Sequence, residues 1–298
     1  MDSELAKFIS FALPGLSIGL VYALIALGFV LIYKCTGIFN LALGEMVMFG
    51  AYILFALSVM AKLPIGLGIL FTLALAIVLG MLIERLLTRP LIGQPILSLL
   101  MVTLCLGCIL TGTMILGWGS KHLILPSLFP SGGASVAGTT ISWDYFGFLA
   151  VTAALFLALL YFFRYSRIGL SMMATSEDQQ AAQSLGISVK QILRTSWIIA
   201  VLVASIGGIL FTQITTAHYY QTGIGITAVA VALLGGLESI PGVIIAGLIV
   251  GLLQGLSVGY LDPFIPGTSR EVIIFIIMML VLLIRPYGLF GWERIERV

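Results

Sequence analysis

Hydrophobic positions in this chain follow one another in long unbroken runs rather than recurring on one face of a helix or alternating along a strand. Such runs lie near residues 8–33, 41–60, 65–83, 96–116, 146–163, 195–217, 224–235, 242–260 and 271–284. A helix needs roughly 20 consecutive apolar residues to cross about 30 Å of hydrocarbon, so each run is expected to be membrane-embedded. The run at 224–235 is too short to cross as a straight helix. It is expected to be half of a broken or re-entrant element, which is tolerated only where protein or water satisfies its backbone. The fold class is therefore all-α: a polytopic integral membrane protein with about eight or nine transmembrane helices, forming a single transmembrane domain over residues 1–298. No signal peptide is expected, because the run from Phe8 to Tyr33 is too long for one and leads directly into further membrane segments.

Composition supports the same conclusion. Of 298 residues, 60% are hydrophobic and 9% charged, against roughly 45–50% and 25% in soluble domains. So few charges cannot cover a water-facing surface, which excludes a soluble enzyme, a disordered tail and a nucleic-acid binder. The net charge of +2 is too small to imply an acidic partner.

The distribution of basic residues orients the chain. Lys34, Arg85, Arg89, Arg164, Arg167, Lys190, Arg194, Arg285, Arg294 and Arg297 fall on one side of the predicted membrane. Lys7, Lys62, Lys121 and Arg270 fall on the other. The positive-inside rule makes the larger set cytoplasmic, with the N-terminus outside and the C-terminus inside. Two loops are long enough to carry more than a turn. The external one, 117–145, is rich in Gly, Ser, Pro and Thr, with Trp118 and Trp143 near its ends as membrane-interface anchors. It could also offer a docking face for an external protein. The cytoplasmic one, 164–194, is expected to hold a short amphipathic helix from Ser176 to Leu185, with Ser176 as cap, Glu177 and Asp178 in the first turn, and Gly186 as the C-terminal stop.

Candidate chemistry is sparse. Gly247, Gly251, Gly255 and Gly259 recur at every fourth position of one span, the spacing that lets a neighbouring helix approach at backbone distance. They read as a helix-packing stripe, with a glycine-lined conduit as the lesser alternative. Glu45 and Glu238 lie close to membrane depth beside glycines, and Asn40 is the chain's single asparagine. An intramembrane carboxylate is costly and points to function by default, so Asn40, Glu45 and Glu238 are candidates for a translocation pathway. For Glu45 the alternative is a carboxylate hydrogen-bonded across a helix or subunit interface; for Glu238 it is a cytoplasmic turn. Cys105 and Cys108 form a lone CxxC within an apolar run, and His122 and His218 look isolated, so no metal or redox site is expected. No Gly-Lys pair, nucleophile elbow or zinc-protease motif occurs, so nucleotide hydrolysis is not expected in this chain and no cofactor is called for.

Four separated blocks carry a resemblance. Gly19-Leu-Val-Tyr-Ala-Leu-Ile-Ala-Leu-Gly28, followed by Leu31-Ile-Tyr33 and Gly37-Ile-Phe-Asn-Leu-Ala-Leu-Gly-Glu45, resembles the N-terminal signature of branched-chain amino acid ABC importer permeases, in their H-type (LivH-like) form. Ser176-Glu-Asp-Gln-Gln-Ala-Ala-Gln-Ser-Leu-Gly-Ile187 is similar to that family's cytoplasmic segment. Leu234-Gly-Gly-Leu-Glu-Ser-Ile-Pro-Gly242 and Leu280-Val-Leu-Leu-Ile-Arg-Pro-Tyr-Gly-Leu-Phe-Gly291 are similar to its C-terminal blocks. The resemblance covers essentially the whole chain, in order.

It implies a permease subunit of an ABC importer in the bacterial inner membrane. Its partners would be a homologous M-type permease, two cytoplasmic ATPase subunits and a periplasmic or lipid-anchored substrate-binding protein. It also implies that Glu177, Asp178, Ala181, Leu185 and Gly186 form the coupling helix seated in the ATPase. The sequence departs from the family in having Leu43 where His is usual, Glu238 where Gly is frequent and Gln254 near a common acid. Since the family also handles urea, amides and organic acids, the implied cargo is a small polar solute, foremost a branched-chain or related amino acid. The rival class is an autonomous ion- or proton-coupled secondary transporter, which Glu45 alone favours. A membrane enzyme lacks any visible constellation.

Overall fold

The computed structural model describes residues 2–37, 39–91, 94–130, 132–136, 139–264 and 269–291. Arg294 and Arg297 of the basic set lie outside the described residues, and of Arg270 only the backbone is described. The described chain is mostly helical. Its helices are α1 (Asp2–Thr36), α2 (Leu43–Phe55), α3 (Ile65–Ile83), α4 (Ile96–Trp118), α5 (Trp143–Tyr165), α6 (Arg167–Glu177), α7 (Gln179–Ser184), α8 (Val189–Phe211), α9 (Ile224–Gly235), α10 (Ile240–Tyr260) and α11 (Ser269–Ile284). A small antiparallel hairpin, β1 (Gly133–Val136) with β2 (Thr139–Ser142), sits in the 117–145 loop.

Each of the nine hydrophobic runs overlaps one of these helices. Seven are long and apolar enough to cross a membrane; Tyr219–Gly235 and Val272–Ile284 are shorter apolar helices. Two of the seven are lengthened by wider π-helical turns, Ala56–Met60 after α2 and Glu84–Thr88 after α3. The helix tips follow local chemistry. Gly37, at φ +67°, ends α1 by donating to the Tyr33 carbonyl at 2.7 Å, a left-handed stop that suits glycine. Ser239 caps α10 by accepting from the Gly242 amide at 3.1 Å.

The chain divides into two compact units. The first comprises Met1–Ala26, Ser127–Ala153 and Ile226–Val298, and the second Leu27–Pro126 and Ala154–Gly225. In the second unit α2 and α8 form the core, with Met46, Val47, Tyr52, Trp197 and Ala200 essentially inaccessible. α3, α4 and α5 instead expose large apolar side chains, among them Leu70, Leu116 and Leu157. Such surface is stable only against hydrocarbon or another apolar surface.

One local expectation is overturned. The predicted helix from Ser176 to Leu185 is two elements. α6 runs through Ser176 and ends at Glu177; Asp178 then breaks the helix in an extended conformation (φ −148°, ψ 107°), and α7 begins after it. The cap is Asp178, whose carboxylate accepts from the amides of Gln180 and Ala181 at 2.8 and 2.9 Å. The Ser176 hydroxyl instead donates back to the Met173 carbonyl at 2.6 Å. Both residues are good caps, and here the Asp178 carboxylate takes two of the free amides at the start of α7 while the Ser176 hydroxyl is spent on the end of α6.

Candidate translocation and coupling sites

Asn40 and Glu45 are placed by the link between α1 and α2, within the second unit. Phe39 anchors that link by stacking on Phe29 (centroids 5.4 Å apart) and meeting Tyr33 edge-on at 6.4 Å. Asn40 is 1% exposed. Its Oδ1 accepts from the Ala42 amide at 3.1 Å, closing a local turn that starts α2, and its Nδ2 points at the Met46 sulfur 3.6 Å away. The next backbone amide, Leu41, donates to Thr103 Oγ1 of α4 at 3.2 Å.

This turn delivers Glu45, in the first turn of α2, against α4. A methyl group on Gly107 would lie 3.2–3.4 Å from the three terminal atoms of the Glu45 carboxyl group. Gly107 is midway along the 23-residue α4, roughly 17 Å from either helix end at 1.5 Å per residue. The carboxylate therefore sits near the middle of a membrane-length helix. It is half-buried, and among the described residues no other side chain hydrogen-bonds or ion-pairs with it.

On another side of the same helix start, Gly44 meets the segment leading into α9. A methyl on Gly44 would collide with the Thr222 carbonyl and stand 3.0 Å from Gly225 Cα. Gly44, Thr103, Gly107 and Gly225 were not singled out from sequence. Gly44 could have been, since it precedes Glu45; Gly107, between two cysteines in an apolar run, carries no signal.

Glu238 belongs to the first unit and lies in the turn between α9 and α10, half-buried. Two family-like blocks meet there. Leu289 donates to the Leu234 carbonyl at 2.8 Å and Phe290 to that of Gly235 at 3.3 Å. A methyl on Gly236 (φ +95°) would stand 2.7 Å from the Gly291 nitrogen.

Gly247, Gly251, Gly255 and Gly259 of α10 face Phe11, Gly15, Gly19 and Ala23 of α1. A methyl on Gly255 would lie 2.5 Å from the Phe11 carbonyl oxygen and 2.8 Å from Gly15 Cα; one on Gly247 would lie 2.7 Å from the Gly19 carbonyl. Gly259 is covered by the Phe11 ring. The two four-residue stripes interlock at backbone distance, the geometry that small residues permit in membranes.

The segment from Glu177 to Gly186 is displayed to the outside. Glu177, Asp178, Ala181 and Gly186 are exposed, and Leu185 is 82% exposed. Ala182 turns inward and is buried. The six-residue α7 is stopped by Gly186 at φ +82°. Gly186 donates to the Gln183 carbonyl and Ile187 to that of Ala182, both at 3.0 Å, which is the paired bonding of a Schellman stop. A helix this short has no stability of its own, so Asp178 and Gly186 fix its two ends.

The two histidines are not isolated. His122 stacks on His218 with centroids 4.3 Å apart, and His218 neighbours Tyr219 and Tyr220 at 4.5 and 5.3 Å. Nearly a hundred residues separate them in sequence, and the Leu123–Ala217 bridge brings them together. His218 accepts from the Tyr220 amide and approaches the Ser120 carbonyl, and His122 bonds Thr216. Those nitrogens are occupied by protein, and no cluster of three metal-ligating side chains occurs among the described residues. Trp118, expected as an interface anchor, packs edge-on against buried Tyr52 at 5.4 Å.

These features define an all-α, polytopic membrane protein with a half-buried carboxylate against the middle of a membrane-length helix and a displayed short helix. The family described as branched-chain amino acid transport system / permease component matches residues 11–282, and the chain belongs to it. It is 32% identical to the high-affinity branched-chain amino acid transport system permease protein LivH of Escherichia coli K12, over the full length of both. It is 31% identical to the permease protein BraD of Pseudomonas aeruginosa over 99% of each. Among solved structures, PsaBC from Streptococcus pneumoniae in complex with Fab shares the fold, with a TM-score of 0.52 over 96% of this chain and 98% of that one, at 17% identity.

Proposed function

We propose that this chain is the membrane-spanning permease subunit of an ATP-driven importer for branched-chain or related amino acids. The whole chain acts as one permease domain. It works with a homologous M-type permease, two cytoplasmic ATPase subunits and an external substrate-binding protein, and ATP is hydrolysed in the ATPase subunits. The observation that carries this reading is the exposed, doubly capped α7, followed by Leu185, which is 82% exposed among the described residues. A short helix rigidly stopped at both ends transmits a push without unwinding, which is what coupling to an ATPase requires.

In this reading Glu177, Asp178, Ala181, Leu185 and Gly186 contact the ATPase. Glu45 offers a polar group to the passing solute, with Asn40 setting its position and Glu238 serving the pathway from its turn. In this reading the N-terminus lies outside and the C-terminus in the cytoplasm of a bacterial inner membrane, which the excess of basic residues on that side supports. Full-length likeness to two branched-chain amino acid permeases supports the cargo class.

A second reading, a gradient-driven secondary transporter, is favoured by the mid-membrane Glu45 carboxylate alone. Proteoliposomes holding the complex decide between the two. Uptake of leucine that needs ATP inside the subunit-accessible face and the binding protein on the other supports the importer. Uptake driven by a proton or sodium gradient with no ATP supports the rival.

A further inference from the structure

A groove opens between α6, the end of the displayed segment at Leu185 and Gly186, and the start of α8. Its walls include Arg167, Ser171, Ser188, Arg194, Thr195 and Ile198. From the structure we infer that this groove is a binding site for one anionic phospholipid, with the phosphate held by Arg167 and Arg194.

Three observations converge on it. First, the groove carries two guanidinium groups and three hydroxyls but no carboxylate in its lining. Neither arginine has a carboxylate partner among the described residues; the Arg194 Nη2 rests 2.7 Å from the Met81 sulfur instead. Two unneutralised guanidinium groups beside hydroxyls suit a phosphodiester, to which arginine can donate in pairs.

Second, the groove extends along α8 from Ser188 to Ile198, about 15 Å at 1.5 Å per residue. α8 is one of the membrane-length helices, so the Ile198 end reaches into hydrocarbon where a water-soluble subunit cannot follow. A headgroup fits the polar end and an acyl chain the deep end. Third, α6 places Ile168, 49% exposed, in the groove's lining, and presents Leu170 and Met173 outward elsewhere on its surface. It is an interfacial element whose apolar side chains lie where acyl chains would run. Basic pockets at such membrane boundaries attract anionic headgroups.

The test uses the assembled complex as purified from its membrane, stripped of lipid in mild detergent. It is titrated with dioctanoyl phosphatidylglycerol, dioctanoyl phosphatidylcholine and inorganic phosphate, with bound lipid counted by native mass spectrometry. Wild type is expected to hold phosphatidylglycerol about tenfold or more tighter than phosphatidylcholine. The double variant Arg167→Gln/Arg194→Gln should lose about tenfold or more of that affinity, while Arg167→Lys/Arg194→Lys retains most of it. Equal binding of the two lipids by wild type overturns the inference, and so does an unaffected glutamine variant. Inorganic phosphate that displaces phosphatidylglycerol at equal concentration would make this a free-anion site and overturn the lipid assignment. Loss of the ATPase subunits from the glutamine variant with unchanged lipid binding would assign the arginines to the subunit contact and likewise overturn it. If the glutamine variant does not assemble, the two-lipid comparison on wild type still decides.

Discussion

The carboxylate of Glu45 lies against Gly107, at the midpoint of α4, so closely that a methyl group added there would stand only 3.2–3.4 Å from its three terminal atoms. A side chain at position 107 would take the volume the carboxylate occupies. Gly107→Leu should therefore lower substrate uptake by about an order of magnitude while the complex still assembles, since the leucine faces a flexible side-chain end rather than backbone. Initial uptake rates and subunit stoichiometry, measured on the same preparation, check this.

Glu45 itself is tested by removing charge without changing shape. Glu45→Gln should impair transport at unchanged complex yield, because an isolated carboxylate near mid-membrane is costly unless its charge is used. Unchanged transport with lower yield would make Glu45 a structural hydrogen-bonding group.

The ends of α7 give a separate prediction. Gly186, at φ +82°, lies where a β-branched residue is strained, and Asp178 satisfies two amides of a six-residue helix. Gly186→Val should uncouple ATP hydrolysis from uptake, and Asp178→Ala, which removes about 1 kcal/mol of capping, should do so more weakly. ATPase rate and uptake, taken as a ratio, report the uncoupling. Normal ratios in both variants would contradict the coupling role.

Gly251 of α10 is enclosed by Gly15 and Gly19 of α1. Gly251→Leu must force the two helices apart and should cost at least about 2 kcal/mol, seen as loss of folded subunit from the membrane. Gly66 on α3 has nothing within 4 Å of an added methyl, so Gly66→Ala should leave the amount of subunit unchanged.

The spans were legible in the sequence because a membrane imposes length and apolarity on every crossing, and a run of apolar residues states both. The α10 stripe was legible for a similar reason: four glycines at one spacing mark one face. What it faced was not, because Phe11, Gly15, Gly19 and Ala23 lie more than two hundred residues away. The start of α7 was misplaced because Ser176 and Asp178 are both competent caps, and only the captured amides distinguish them. The His122–His218 stack was invisible because each histidine stands alone in its own segment, joined through a single pair of backbone bonds between Leu123 and Ala217. Glu45 could be named from its Gly-Glu context, but its depth required knowing that Gly107 was its neighbour.

The central claim, a permease subunit driven by partner ATPases, is tested most directly by isolating this chain from its native membrane in mild detergent and identifying by mass spectrometry what accompanies it. The expected result is one homologous polytopic subunit and two ATPase subunits in fixed proportion. Repeated recovery of this chain alone, still competent for gradient-driven uptake in liposomes, would contradict it.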